Sequence, residues 1–347
     1  MRIAVLGCGA IGGTIAGCLT RAGHDVTPIV GNPRIEIALL SNGYTLRDLD
    51  GAVSRIPVSN PPAKTPAEAS GIFDVMVTAT PSTALETGLR DMIPCLAETG
   101  RVVTCQNGLP EDRAVGEVGN RVIGCVVGWG ATMSEPGVYQ RTSSGRLQIG
   151  RANPSCPAPD DLAPLLESVS PVEVVNDLSG VRWSKLAINC VTSPFGAIGG
   201  APLGTLLMNP KVRRLALEVF AEVAAVAGAE QVKLRPVAGT LDIARVAIND
   251  RERASRLSPT LLLKHVLLLL VGYKFRRMRS SMLYALERGR PLEIDFLNGE
   301  IVKRGARHGV PTPVNRAIVA RVRAIERKEK VSSPQGLADL CDSLSAG

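Results

Sequence analysis

The chain has 347 residues, with 40 Lys and Arg against 32 Asp and Glu, a formal net charge of +8. Apolar residues make up 45% and charged residues 21%, which excludes a wholly disordered chain, a collagen-like repeat and a coiled coil. The length is about twice the 150 residues of a soft one-domain prior, so two domains are expected. Aromatics are only 3%, so the core must rest on Ala, Val, Leu and Ile, and a stacking platform for single-stranded nucleic acid lacks its rings. The cysteines at 8, 18, 95, 105, 125, 156, 190 and 341 form no C-x-x-C pair. They read as small reduced thiols, with no metal site and no disulfide framework. With the strand-like Ile3-Ala4-Val5-Leu6 at the start, no signal peptide is expected, and the longest apolar run, residues 266–271, is far below the ~20 residues of a membrane span. A cytoplasmic protein with no membrane partner is the expectation.

Residues 3–6 form a wholly apolar run that suits a central parallel strand covered on both faces. Gly7-Cys8-Gly9-Ala10-Ile11-Gly12 follows at once, then a helix-like stretch to Ala22, a stop at Gly23-His24-Asp25, and a second strand over 26–30. This is the strand–G-x-G-x-x-G–helix–strand unit of dinucleotide binding. In it Gly7 makes the tight turn, Gly9 admits the pyrophosphate to the backbone, and Gly12 lets helix and strand pack closely. The N–H groups of the helix start, at Ala10 and Ile11, then face the phosphates. The second strand ends Ile29-Val30-Gly31-Asn32-Pro33-Arg34 with no acid for the ribose hydroxyls, so Arg34 points to the 2′-phosphate of NADP, against the plainer reading of a solvated loop residue.

Residues 35–71 carry turn signals and short alternating pieces, consistent with strands and loops. Strands are expected over 72–78 and 102–105, with a helix over 83–98 between them. Thr80, Gln106 and Asn107 fall just beyond strand ends, where open α/β sheets bind ligands. Asn107 before Gly108 also serves as a plain turn residue. Later strands are expected at 122–128, 137–140 and 147–150, the last two joined as a hairpin at Gly145-Arg146. A helix at 160–169 and a strand at 172–175 lead to a boundary near 177–180. The domains are therefore set at 1–178 and 179–330, with residues 331–347 as a frayed tail.

From Val181 onward helical periodicity takes over. Lys185, Asn189, Thr192 and Ser193 share one face of an otherwise apolar helix. From spacing alone, a solvent-exposed face with a snorkelling lysine is the plainer reading. Residues 291–299, with Pro291, Glu293 and Asp295, resemble a helix start, where acids are often only dipole partners. The basic groups at 276–279 and 321–330 lack any helix-turn-helix, zinc or RNA-recognition signature. They read as solvated faces or as an attraction for an anionic cofactor and substrate, with no nucleic-acid partner.

Together the opening Ile-Ala-Val-Leu-Gly-Cys-Gly-Ala-Ile-Gly, the turn at Gln106-Asn107-Gly108, the motif at residues 183–190, Ser280-Ser281-Met282, and Glu293-Ile294-Asp295-Phe296-Leu297-Asn298-Gly299 resemble the ketopantoate reductase (2-dehydropantoate 2-reductase) family. The resemblance implies an α/β protein with an N-terminal Rossmann-type doubly wound sheet followed by an all-α C-terminal domain. It implies NADPH-dependent reduction of a small 2-oxo acid, ketopantoate to pantoate, as in pantothenate biosynthesis, and leaves a homodimer open. Lys185 resembles the catalytic lysine and Glu293 the glutamate that assists it. Asn189 resembles a ligand of the substrate hydroxyl, Ser281 a ligand of its carboxylate, and Asn107 a residue shared by cofactor and substrate. Departures are Thr80 where the family often has a cofactor lysine, Ser193 where some members have a second Asn before Pro, and Gly31 where some have the 2′-phosphate arginine. Residues 235–275 look longer than in the typical enzyme. Two alternatives stay open: a related reductase of a bulkier carbonyl or imine, and a non-catalytic nucleotide-sensing protein.

Overall fold

The structure, a computed structural model, describes residues 1–69, 71–237, 240–254 and 258–345. It divides into two compact units, Met1–Ser179 and Gly180–Gly347. The first unit contains β1 (Arg2–Leu6), α1 (Ala10–Arg21), β2 (Asp25–Ile29), α2 (Pro33–Asn42), β3 (Tyr44–Arg47), β4 (Val53–Ile56), α3 (Pro66–Ala69), β5 (Phe73–Thr78), α4 (Leu85–Met92), β6 (Leu96–Thr104) and α5 (Pro110–Val118). It continues through β7 (Val122–Val127), β8 (Ala131–Glu135), β9 (Val138–Arg141), β10 (Leu147–Arg151), α6 (Ala163–Glu167) and β11 (Val172–Val174).

The main sheet has the order β11-β10-β7-β6-β5-β1-β2 and is parallel except where β10 meets β7. The apolar run of β1 is explained by its position: Ile3 and Val5 enter one core cluster, Ala4 and Leu6 the other, and both faces are covered. The chain sets β2 on one side of β1 and then returns to set β5 on the other. Strand order therefore reverses between β1 and β5, which is where doubly wound sheets hold their ligands.

Three local expectations are corrected. Residues 33–42, which overlap the stretch 35–71 expected as strands and loops, form α2, because the Asn32 side chain accepts from the Arg34 N–H at 2.9 Å, Pro33 opens the helix, and Gly43 closes it at φ +66°. The helix expected over 83–98 ends at Met92; Pro94 cannot continue it, and β6 begins at Leu96. The hairpin expected at Gly145-Arg146 does not form. Instead β9 turns back on β8 around Gly137 (φ +78°) and joins β3 in a second sheet of order β4-β3-β9-β8, while β10 returns to the main sheet. Gly145 is needed for close approach, since a Cβ there would lie 2.2 Å from the Gly128 carbonyl oxygen.

The second unit is helical among the described residues. α7 (Leu178–Gly199) enters it, followed by α8 (Leu203–Leu207), α9 (Pro210–Ala229), α10 (Ile243–Val246), α11 (Asp250–Ala254), α12 (Pro259–Lys274), α13 (Ser281–Glu287), α14 (Asn298–Arg307), α15 (Pro313–Glu326) and α16 (Pro334–Ser345). The long stretch at 235–275 is thus built from α10, α11 and α12, with 238–239 and 255–257 outside the described residues. The expected frayed tail is corrected as well, with 346–347 outside the description. Leu337, Leu340 and Cys341, spaced three and four apart, are buried as α16 packs on α9, and Lys211 pairs with Asp342 at 2.6 Å.

Candidate active site

The glycine turn is built by exclusion of side chains. Gly7 has φ +90°, and a Cβ on it would lie 2.7 Å from the Thr80 backbone nitrogen. A Cβ on Gly12 would lie 2.0 Å from the Gly7 carbonyl oxygen and 2.9 Å from the Ala79 Cβ. Gly9 differs: nothing stands within 4 Å of where its Cβ would be. The backbone at Gly9 is therefore open to a ligand, while Gly7 and Gly12 are closed by the protein itself. Gly9 caps α1 without a side-chain hydrogen bond, and the first turn holds no acid. The first-turn N–H groups at Ala10, Ile11 and Gly12 keep their positive end toward that opening, which fits a pyrophosphate. Next along α1, Gly13 makes room for the Tyr139 ring, whose hydroxyl donates to the Cys8 carbonyl oxygen at 3.1 Å. This brace from the second sheet was not foreseen, because β9 and the loop are more than a hundred residues apart. Burial pushes the Cys8 thiol up to about 12, so it stays protonated beneath the loop.

The ends of β5 and β6 add a polar relay. Thr78 Oγ1 donates to Gln106 Oε1 at 2.9 Å, and Gln106 Nε2 donates to Thr80 Oγ1 at 3.2 Å. Gln106 is buried, whereas Thr80 and the neighbouring Asn107 are half-buried beside the strand ends. Gly108 at φ +83° then turns the chain into α5. Arg34 is exposed in the first turn of α2, directly after β2. Glu36 in the same turn is occupied by Lys64 at 2.6 Å, and among the described residues the Arg34 guanidinium has no carboxylate partner.

In the second unit, every residue from 181 to 199 is buried except Lys185, Ile188, Asn189 and Thr192, which are half-buried. The face expected as a solvated surface is therefore a narrow stripe at i, i+3, i+4 and i+7 on a core helix. The Asn189 Nδ2 is buried with no hydrogen-bond partner among the described residues, which leaves a donor free for an acceptor such as water or a ligand oxygen. Ser193 is 5% exposed and lies beside this stripe. Ser281, exposed, opens α13. Its neighbour Ser280 caps that helix by accepting from the Leu283 N–H at 3.1 Å, and donates its hydroxyl to the Ser193 carbonyl oxygen at 3.0 Å. Gly196 leaves the space, since a Cβ there would lie 2.3 Å from Ser280 Oγ. Glu293, half-buried, precedes a single 3₁₀ turn (Ile294–Phe296) and α14. Asn298 at the start of α14 is fully buried and donates to the Cys190 carbonyl oxygen at 2.9 Å. Two buried hydrogen bonds thus bring the segments bearing Ser281 and Glu293 onto the helix bearing Lys185 and Asn189. Ser280 and Asn298 lie inside the motifs that carry the resemblance but have no role assigned from the sequence; Pro194 inside α7 is the available signal for one. Among the described residues, no cluster of three His, Cys, Asp or Glu could hold a metal ion.

A glycine turn at the switch point of a parallel sheet, joined to a helical unit with a half-buried lysine stripe, defines the class of two-domain nicotinamide-dependent oxidoreductases. Residues 3–154 match the family described as ketopantoate reductase PanE/ApbA, and residues 177–326 match its C-terminal domain. The chain belongs to the ketopantoate reductase family. It is similar to a 2-dehydropantoate 2-reductase of Pyrococcus horikoshii, 27% identical over 340 residues (94% of this chain, 98% of the relative). One from Pyrobaculum aerophilum is 32% identical over 242 residues, 68% of this chain and 73% of the relative. Among solved structures, a PanE/ApbA family ketopantoate reductase from Ralstonia eutropha JMP134 matches with TM-score 0.79 and 30% identity, covering 95% of this chain and 99% of that one. A D-mandelate dehydrogenase solved with NADH and anilino(oxo)acetate has the same TM-score at 20% identity, over 94% and 99% of the two chains, and shares the fold.

Proposed function

We propose that this protein reduces 2-dehydropantoate to pantoate with NADPH. The observation that carries the reading is the lysine stripe of α7, half-buried on a buried helix, with the Asn189 Nδ2, one turn from Lys185, lacking a hydrogen-bond partner among the described residues. When bound, the nicotinamide supplies a hydride to the ketone carbon. The charge that develops on the carbonyl oxygen calls for a positioned cation and a proton. Lys185 meets both needs, because a lysine ammonium is charged at neutral pH. Glu293 orients that ammonium and accepts from a substrate hydroxyl. Asn189 Nδ2 donates to a substrate oxygen, with Ser193 beside it. Ser281 takes the carboxylate, and Asn107 is shared between cofactor and substrate. Gly7, Gly9, Ala10, Ile11, Gly12 and Thr80 form the cofactor cradle.

The choice of NADPH over NADH rests on Arg34, an exposed guanidinium without a carboxylate partner among the described residues, where NAD sites place an acid. The test is a panel of ketopantoate and larger 2-oxo acids, each with NADPH and NADH, in the wild-type and Arg34→Ala proteins. Ketopantoate with NADPH is expected to have the highest kcat/KM. Arg34→Ala should weaken NADPH by about tenfold and leave NADH nearly unchanged, as loss of one charge-assisted contact would. Turnover confined to a larger acid would move the substrate, and equal loss for both cofactors would remove Arg34 from this role.

The partner state we propose is a homodimer through α12. Leu262, Leu263, Leu270 and Tyr273 are each 60–70% exposed, and Val266 lies on the same face. Such a stripe is self-complementary when two copies cross about a two-fold axis. It offers on the order of 500 Å² per copy, most of the area a standard interface needs. Light scattering should give a mass twice that of the chain, reduced to a single chain by Leu263→Glu with Leu270→Glu. A single-chain mass for the wild type would dispose of the dimer. A reducing, cytoplasmic location belongs to the same proposal, supported by eight buried free cysteines.

A further inference from the structure

Pro194 lies inside α7 and has no N–H to give. In a regular helix that N–H would bond the carbonyl oxygen four residues back, at Cys190. Cys190 is fully buried, so its oxygen would be left without a donor. Asn298 Nδ2 fills this place from another helix, at 2.9 Å. The direction of that donation is set further away. Glu222 on α9 accepts from the N–H groups of Val314 and Asn315 at 2.7 and 2.9 Å, and from Asn315 Nδ2 at 2.7 Å. The Asn315 amide must therefore present its oxygen to Asn298, whose Nδ2 donates to it at 2.8 Å. Both hydrogens of the Asn298 amide are committed, one to this relay and one to α7.

We propose that Asn298 is a positioning residue for the reaction: its amide replaces the backbone donor lost at Pro194 and thereby holds the Glu293 segment in register with Lys185 and Asn189. Glu293 is five residues before Asn298, across one 3₁₀ turn anchored by the fully buried Ile294. Cys190 adjoins Asn189. The bond thus joins the backbones that carry the proposed substrate-facing groups. This inference rests on the reading of Lys185 and Glu293 given above.

The test compares the wild type, Asn298→Ala, Pro194→Ala and the double variant, by kcat and KM for ketopantoate, NADPH binding and melting temperature. Asn298→Ala should lower kcat by about tenfold to a hundredfold, the scale of a misplaced reacting group, with NADPH Kd within about twofold. It should also lower the melting temperature. In the Pro194→Ala background an N–H returns at position 194 and can serve Cys190. There Asn298→Ala should cost much less in melting temperature, yet kcat should stay low, because the tie to the Glu293 segment is still missing. Recovery of kcat along with stability would reduce Asn298 to a structural part and overturn the proposal. So would an unaltered kcat in the single variant. If Asn298→Ala alone does not fold, the double variant carries the comparison, and its failure to fold would show that the Cys190 carbonyl is not what Asn298 serves. Full turnover in Lys185→Ala would instead sink the underlying reading, while the melting-temperature comparison would still judge the bond.

Discussion

Lys185→Ala is expected to lower kcat with ketopantoate by about 10³-fold, near 4 kcal/mol of transition-state stabilisation, while NADPH binds as before. The magnitude follows from two functions lost together, charge stabilisation at the carbonyl oxygen and proton donation. NADPH binding should be spared because the proposed cofactor cradle lies in the glycine turn and the strand ends of the first unit, not on α7. The protein should stay folded, since position 185 is one of four half-buried sites on a helix whose packing is carried by its buried neighbours. The checks are steady-state NADPH oxidation and a direct titration of NADPH by fluorescence. Turnover near the wild-type value in a folded Lys185→Ala protein would remove the lysine from the chemistry.

The second large effect separates two glycines of one motif. Gly12→Ala should cost about 2 kcal/mol of stability and weaken NADPH by at least about thirtyfold. Its methyl would sit 2.0 Å from the Gly7 carbonyl oxygen, and Gly7 is held in place by its N–H bond to Ile29 at 2.9 Å. The turn must therefore shift, taking the N–H groups of the α1 start with it. Gly9→Ala should behave differently. Gly9 has an ordinary φ of −71°, and no atom lies within 4 Å of the added Cβ, so the melting temperature should hold. The methyl would still occupy the opening where a pyrophosphate approaches, and NADPH should weaken about as much as in Gly12→Ala. Thermal melts with and without NADPH decide the matter. Equal destabilisation of the free protein by both substitutions would contradict this division of labour.

Several features were legible because their causes are local. A strand with a continuous apolar run such as residues 3–6 needs cover on both faces, and β1 has it. The spacing of Gly7, Gly9 and Gly12 encodes a turn that could be read directly. Lys185, Asn189 and Thr192 share a face by helical period alone. The same period cannot say how far that face meets water, and in the structure Lys185 is half-buried. The exposure of a helix face depends on which other helices cover its flanks, and those lie far along the chain. α2 was missed for a smaller reason: Asn32-Pro33 is as good a turn signal as a helix start until Ile35 and Leu39 are seen to be buried. The tail reads as frayed because Leu337, Leu340 and Cys341 gain nothing until α9 is there to receive them.

The amino-acid sequence by itself determined the dinucleotide turn, the change from strands to helices near residue 178, and the spacing of the lysine stripe, since each follows from backbone sterics and short-range periodicity. Only the tertiary structure decided that β9 belongs to a second sheet bracing the glycine loop through Tyr139, that the α7 stripe is half-buried on a buried helix, and that Asn298 donates to the Cys190 carbonyl oxygen four residues before Pro194. Those outcomes depend on partners some hundred residues away, and the hydrogen-bonding needs of a buried carbonyl are visible only once its surroundings are in place.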